Sequence, residues 1–275
     1  MKSIRNNSLD PISIRNWRWT YFLDKTIKGF SIFQSSPYPI ENDFLFRESF
    51  FGSSSNPKKV ILETWGLKME KIRQARCACL QAGEITSVMN LVISPLNNYD
   101  LPFFGADFVT LPNGHLIALD LQPALKEDIT HTQHVWNKLK PIHAHWQSKI
   151  PSGGDIPSDA RQYFSPAFLW SRIPLGEEGE NLIDQTIKPA FDEYLNCFFD
   201  LLRDAKITSK ERSFQLLNGQ KKYMRYRAEK DPARGMLRSF FGELWTESYI
   251  NTVSYTHLRA HETRGNIVCR LLLEK

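Results

Sequence analysis

The sequence is poor in cysteine, and the arrangement of its cysteines excludes several classes of protein. Its 275 residues include four cysteines, none in a CxxC pair: Cys77, Cys79, Cys197 and Cys269. Four scattered cysteines are too few to crosslink a chain of this length, so we expect a reducing compartment. The same count excludes an iron–sulfur cluster of the usual kind, because such a cluster needs four thiolates in a recognisable spacing.

Long apolar runs and common nucleotide or hydrolase motifs are also missing. No run approaches the roughly 18 apolar residues of a membrane-spanning helix, and the N-terminal stretch MKSIRNNSLDPISIRNW lacks the apolar core of a signal peptide. These absences predict a cytoplasmic protein that is not in the membrane. The sequence has no GxGxxG, GxxxxGK[ST], GxSxG or HExxH, which lowers the case for the commonest nucleotide-binding and hydrolytic sites.

What is present is the composition of a folded domain. Hydrophobic residues make up 41% and charged residues 24%, with a net charge of +5, which excludes disorder, collagen and coiled coil. Residues 254–275 lack an amphipathic period and contain two of the seven histidines, so we interpret them as a vector or read-through tail. We therefore expect a single domain over residues 1–253.

The hydrophobic pattern predicts an antiparallel sheet between helices. A helix is expected near the N-terminus, over IRNWRWTYFLDKTIKGF. Short apolar runs from Lys58 to Pro123 predict a meander of strands, with a hairpin at Asn113-Gly114. A helix before Ser148, a strand over AFLWSRIP and three C-terminal helices follow. This order predicts a layered α/β domain with a central antiparallel sheet.

Histidine and cysteine clusters give weak signals for a metal or redox site. His131 and His134 have helical i,i+3 spacing, but no third ligand is evident, so we expect solvated or capping histidines and no metal. Cys77 and Cys79 alternate along a strand and share one face. We expect them to be buried and inert.

Two aspartates in the apolar hairpin are stronger candidates for chemistry. Asp107 lies in DLPFFGADFVTL and Asp120 in HLIALDLQP, where a carboxylate is uncommon unless it is paired or neutral. A two-residue Asn-Gly loop would place the two opposite each other on one face, and a three-residue loop including Pro112 would place them on opposite faces. Either aspartate could also be a buried carboxylate satisfied by backbone or arginine hydrogen bonds.

The segment YRAEKDPARGML supplies a third carboxylate. Asp231 precedes Pro232, which predicts a break between two helices at that point. Such a break can direct Asp231 into a cleft, with Arg227 one turn earlier to orient it or to bind an acidic substrate. The alternative is that Asp231 caps the next helix.

The positive charge is concentrated in the same region. Residues 210–238 contain nine Lys and Arg against three Asp and Glu. Such a segment can bind phosphates as a nucleic-acid-binding module, hold substrate carboxylates, attract an acidic protein or form a solvated helix face.

Three stretches together carry a resemblance to a known family. YDLPFFGADFVTLPNGHLIALDLQP, FSPAFLWSRIPLGEEGE, and YRAEKDPARGML followed by GELWTESYINTV resemble the ferredoxin-dependent bilin reductases over about residues 10–253. The resemblance implies a three-layer α/β/α sandwich with a central antiparallel sheet. It implies a bilin held between the sheet and the C-terminal helices, and catalysis with no bound flavin or metal.

The resemblance also assigns roles to individual residues. The family's two active-site aspartates match Asp107 and Asp231, and its arginine before the second aspartate matches Arg227. Family members that make phycocyanobilin carry a glutamate and a histidine at the positions of Ala78 and Asn90. This departure argues against the four-electron phycocyanobilin reaction and leaves the two aspartates as the proton sources.

We expect the remaining site residues to contact the substrate. Arg227 and Asn90 are expected to bind the bilin, and Arg172 is expected either to bind a propionate or to pair with a helix. The overall likeness favours reduction of the A-ring diene of 15,16-dihydrobiliverdin, with biliverdin reduction or a combined four-electron reaction as alternatives. The expected partners are reduced ferredoxin and the preceding bilin reductase, with no nucleic acid and no oligomer.

Overall fold

The computed structural model of the protein describes residues 5–254, so all but the first residue of the tail set apart above lies outside the described residues. Two segments within that range are π-helical, Ile183–Ile187 and Ile250–Ser254. The strands are β1 Ser35–Pro37, β2 Phe46–Phe51, β3 Lys58–Met69, β4 Ile72–Ala82, β5 Thr86–Pro95, β6 Phe103–Leu111, β7 Gly114–Gln122 and β8 Leu169–Ile173. The helices are α1 Thr20–Phe30, α2 Asn42–Leu45, α3 Ile129–Gln147, α4 Ser158–Arg161, α5 Glu177–Leu182, α6 Lys188–Asp204, α7 Lys210–Glu229, α8 Arg234–Phe241 and α9 Glu243–Tyr249.

The strands form one antiparallel sheet in the order β1-β3-β4-β5-β6-β7-β8, and β2 also pairs with β3. The run from β3 to β7 is the predicted meander, and β8 is the predicted strand over AFLWSRIP. β1 and β2 were not predicted from the sequence. Both lie before Lys58, and β1 falls in a stretch whose proline and serine content is typical of a loop.

Helices cover both faces of the sheet, which confirms the three-layer α/β/α sandwich. Side chains alternate between the faces along each strand. One face packs on α1, α3 and α6 through buried residues such as Phe22, Leu139 and Phe191. The other face meets α7, α8 and α9 through Tyr223, Leu237 and Tyr249.

The β6–β7 hairpin has a different loop from either of those considered above. Leu111 pairs with Gly114, so the loop is Pro112-Asn113 and Gly114 belongs to the strand. Glycine suits this position because its φ is +138° and a Cβ would lie 2.8 Å from the carbonyl oxygen of Ile173.

The hairpin register places Asp107 and Asp120 on one face. Asp107 pairs with Ala118, and Asp120 pairs with Gly105. The two carboxylates therefore lie on the same face, diagonally rather than directly opposite. Both project towards the layer formed by α7, α8 and α9.

The start of α7 is joined to the loop between β5 and β6 and to the start of α3 by a network of charged side chains. Arg212 donates from Nε to Asp100 (2.7 Å) and also pairs with Asp128, which caps α3. His131 is 1% exposed, accepts from the N–H of Ala124 and shares a 2.5 Å hydrogen bond with Asp100. The expectation of a solvated or capping histidine is therefore wrong for His131, which is a structural link between α3 and the sheet.

Buried cysteines lie on the face away from α7. Cys77, Cys79 and Cys197 are buried free thiols, and Cys77 and Cys79 share one face with 3.6 Å between their sulfur atoms. Burial is the main reason that the pKa of Cys79 is raised. Their expected inert packing fits this environment.

Candidate active site

A cleft lies between the sheet and the C-terminal helices. It consists of two cavities, of about 280 Å³ and about 330 Å³. The volumes are at the scale of small-molecule sites. The two cavities meet at four residues that line both, which makes them parts of one cleft: Asn90, Asp107, Arg227 and Pro232.

Strand register brings the sheet residues of this junction together. Ala78 pairs with Asn90, and Asn90 pairs with Asp107, so their side chains form a row on the face that meets α7. Arg76 donates to Oδ1 of Asn90 at 2.6 Å. The amide nitrogen of Asn90 is then free to donate to Asp107, which it hydrogen-bonds.

Asp107 is the central titratable group of the cleft. Burial raises its pKa, and the negative charge of Asp231 adds to the rise, while Arg227 and the hydrogen bond from Asn90 oppose it. The net direction is upward, so the carboxyl keeps its proton to a higher pH than an ordinary aspartate. Its side chain is 27% exposed and opens into both cavities.

Arg227 and Asp231 approach Asp107 from the helical layer. Arg227 lies in the last turn of α7, with Nη2 at 4.0 Å from Oδ2 of Asp107. Asp231 follows the end of α7, in the predicted break before α8, and lines the second cavity. Its Oδ1 accepts from the N–H of Ala233 at 2.8 Å, in the turn before α8. The N-cap of α8 is Ala233, and no side chain caps this helix, so the expectation that Asp231 caps it is wrong.

Arg172 lies apart from this junction. It is exposed, does not line either cavity, and its guanidinium lies 6.0 Å from the centre of the Trp170 ring. Among the described residues it forms no ion pair with a helix. Trp170 itself lines the first cavity, so Arg172 is beside the cleft rather than in it.

Asp120 adds a buried carboxyl to the first cavity. It is 1% exposed and accepts hydrogen bonds from the N–H and the hydroxyl of Ser165, at 2.8 and 2.5 Å. This is the satisfied buried carboxylate that the sequence analysis considered. Burial nevertheless raises its pKa to about 7, against the lowering effect of Ser165.

Other lining residues were not found from the sequence. Tyr223 donates to Oε1 of Gln122, and both line the first cavity. Phe164, Phe168 and Trp170 form its aromatic wall. The spacing of Tyr223 and Arg227, i and i+4 on a helix, was the available signal, but it acquires meaning only once α7 is placed on the sheet.

Within the described residues, three or more His, Cys, Asp or Glu side chains never come together as a metal site would require. No helix in this part of the chain is long and apolar enough to cross a membrane.

Comparison with known protein families identifies the family of this sequence. A family model described as ferredoxin-dependent bilin reductase matches residues 24–255. The chain therefore belongs to the ferredoxin-dependent bilin reductases, and it is an oxidoreductase.

Two individual relatives and one solved structure are similar to this chain over most of its length. The chain is 91% identical over 255 residues to the phycoerythrobilin:ferredoxin oxidoreductase of Prochlorococcus marinus strain NATL2A, covering 93% of this chain and 99% of the relative. It is 53% identical to the enzyme of the same name from Synechococcus sp. strain RCC307, covering 93% and 97%. The crystal structure of phytochromobilin synthase from tomato in complex with biliverdin shares the fold, with a TM-score of 0.75, 22% identity and coverage of 86% and 82%.

The raised pKa of Asp120 predicts a pH-dependent stability. The folded state binds a proton at Asp120 up to about pH 7, whereas the unfolded chain releases it near 3.8. The contribution of this proton to the free energy of unfolding is complete below pH 3.8, and it is lost as the pH rises towards and through 7. We expect Asp120→Asn, which cannot ionise, to gain up to about 4 kcal/mol relative to the natural protein between pH 4 and pH 8.

Urea unfolding of both proteins across this pH range checks the prediction. The exposed Asp24 on α1 provides a control, and Asp24→Asn should follow the natural protein at every pH. The difference in unfolding free energy between Asp120→Asn and the natural protein should be larger at pH 8 than at pH 4. The same difference at both pH values would contradict the raised pKa of Asp120.

Proposed function

We propose that this protein reduces the A-ring diene of 15,16-dihydrobiliverdin by two electrons to (3Z)-phycoerythrobilin, with reduced ferredoxin as donor. The carrying observation is that Asp107, a carboxyl group whose pKa is raised by burial, lies at the centre of a cleft that also contains Asp231 and Arg227. The name of the relatives at 91% identity supports phycoerythrobilin as the product.

The reaction consumes two electrons and two protons. We infer that each electron from ferredoxin reduces the bound bilin by one step, first to a radical. A proton from a carboxylic acid neutralises the added charge each time, which makes the next electron easier to add. Asp107 and Asp231 supply the two protons and recover them from solvent, and the electrons pass from ferredoxin to the bilin with no bound flavin or metal between them.

The other cleft residues are assigned to binding. Arg227 can hold a carboxylate of the bilin or keep Asp107 near it, and Asn90 lies beside Asp107 in the sheet. Arg172, whose guanidinium lies 6.0 Å from the centre of the Trp170 ring, is assigned to a propionate that extends past Trp170. We further propose that the enzyme is a monomer. Its substrate must come from a preceding two-electron reduction of biliverdin.

An anaerobic assay with reduced ferredoxin tests the reaction. We expect conversion of 15,16-dihydrobiliverdin to phycoerythrobilin, followed by absorbance, and no conversion of biliverdin. Activity should survive chelator treatment of protein that shows no flavin absorbance. Turnover of biliverdin alone would overturn the proposed step, and turnover of both substrates would favour the combined four-electron reaction.

Replacing the proton donors separates chemistry from binding. We expect Asp107→Asn and Asp231→Asn to bind the bilin within a few-fold of the natural affinity and to lose product formation by at least about 100-fold, the scale of a general acid. Asp24→Asn is the control and should match the natural protein. Single-turnover absorbance checks both variants, and unchanged rates in both would remove the assignment.

The basic segment has a face that suits an acidic ferredoxin. Tyr223 and Arg227 direct one side of α7 into the cleft, while Lys222 and Arg225 are exposed and Lys221 is partly exposed. No carboxylate of residues 5–254 forms an ion pair with these three, so their charges are available to a partner. One helix, about 10–12 Å in diameter, separates this surface from the cleft.

Charge reversal at Lys221 and Lys222 tests this surface. We expect the double variant Lys221→Glu and Lys222→Glu to raise the KM for ferredoxin by about tenfold at low salt and to flatten the salt dependence of turnover, with bilin affinity unchanged. Reversal of the exposed Lys138 and Lys140 on α3 is the matched control. Equal effects of both reversals on turnover would place the docking surface elsewhere.

A further inference from the structure

Three near-parallel aromatic rings form one wall of the first cavity. The rings of Phe164 and Phe168 lie 4.0 Å apart between centroids, at an interplanar angle of 11°. Trp170 continues the column, 6.1 Å from Phe168 and again at 11°. All three line the cavity. The wall is therefore a column of stacked rings with a common orientation.

The turn that carries this wall is held by Asp120. Ser165 donates its N–H and its hydroxyl to the two carboxyl oxygens of Asp120, and its hydroxyl oxygen accepts from the N–H of Ala167 at 3.0 Å. From the opposite layer, the hydroxyl of Tyr194 donates to the carbonyl oxygen of Ala167 at 2.7 Å. Asp120 is thus the point at which the sheet fixes the turn between Phe164 and Phe168.

We propose that Asp120 is a positioning residue for the substrate site, which acts through Ser165 to fix the aromatic wall against which one pyrrole ring of the bilin packs. The inference rests on the proposed function, because it takes a bilin as the ligand. A planar conjugated ring is recognised by offset stacking or edge contacts with aromatic side chains. Such contacts need the protein rings to be held at a fixed orientation.

Asp120 is better placed to act through the wall than on the bilin itself. Both of its carboxyl oxygens are engaged by Ser165, and the residue is 1% exposed. The side chain of Asp107, by contrast, is 27% exposed and opens into the cleft. A proton donor needs access to the ligand, whereas an anchor needs only its hydrogen bonds.

Substitutions at Asp120 distinguish an anchor from a proton donor. Asp120→Ala removes both hydrogen bonds to Ser165, so we expect Kd and KM for 15,16-dihydrobiliverdin to rise about tenfold with a smaller change in kcat. Asp120→Asn can accept from the N–H of Ser165 and donate to its hydroxyl. It should restore Kd to within about twofold of the natural value. Asp24→Asn is the control.

The induced circular dichroism of the bound bilin provides a second readout. We expect Asp120→Ala to reduce this signal at saturating bilin and Asp120→Asn to retain it, since the signal reports how firmly the chromophore is held. Thermal unfolding checks that the variants are folded. If Asp120→Ala does not fold, Ser165→Ala takes its place, with an expected rise in Kd of about threefold, because the backbone hydrogen bond remains.

A double-mutant cycle with Phe168→Leu tests whether Asp120 acts through the wall. Loss of the Phe168 ring should weaken binding by itself. If Asp120 acts through this ring, the double variant should bind little worse than the weaker of the two single variants. Additive losses in Kd would overturn the proposed route.

Three further results would be decisive. Natural Kd and circular dichroism in Asp120→Ala would overturn the inference. A fall in kcat in both Asp120 variants with unchanged Kd would make Asp120 a proton donor instead. Failure of the natural protein to bind any bilin would overturn the proposed function and this inference together, whereas the first two results would leave the proposed function standing.

Discussion

The cleft depends on a carboxyl group that is partly buried and only partly neutralised. Asp107 projects from the middle of the sheet, where burial raises its pKa and Arg227, at 4.0 Å, opposes the rise. Removing the positive charge would raise this pKa further, and a closer ion pair would lower it. The observed spacing lies between these limits. A group that both keeps and releases a proton requires such a balance.

The balance between burial and the charge of Arg227 depends on the position of α7. Contacts at the N-terminal end of α7, away from the cleft, help to fix that position. Arg212 joins the first turn of the helix to Asp100 and Asp128, while Gln122 accepts a hydrogen bond from Tyr223 near its middle. Arg227 follows one turn after Tyr223, so these contacts fix its approach to Asp107. The charged network lies at the other end of α7 from Arg227, so it helps to hold the helix that carries Arg227. The positive charge of the segment is accordingly divided between structural ion pairs and an outer face.

Much of the architecture could be predicted from local pattern. Alternation of apolar residues identified the strands from Lys58 onwards, and Asp231 before Pro232 identified the break between α7 and α8. The hairpin loop could not be fixed, because Pro112-Asn113 and Asn113-Gly114 are both acceptable turns, and the choice depends on the contact between Gly114 and β8. The aromatic wall was also beyond the sequence, since it depends on how the turn around Ser165 meets Asp120.

The row of side chains across the sheet contains a single titratable group, which suits the two-proton reaction of the proposed function. Ala78, Asn90 and Asp107 occupy neighbouring positions on β4, β5 and β6, and Asp107 alone of the three can titrate. Under the proposed function, the sheet then supplies one proton and the helical break at Asp231 supplies the other, from opposite sides of the bilin. A titratable side chain at Ala78 or Asn90 would add a proton source and a charge beside Asp107, which would shift its pKa again. Under the proposed function, the uncharged neighbours therefore restrict the number of protons and also preserve the acid that delivers them.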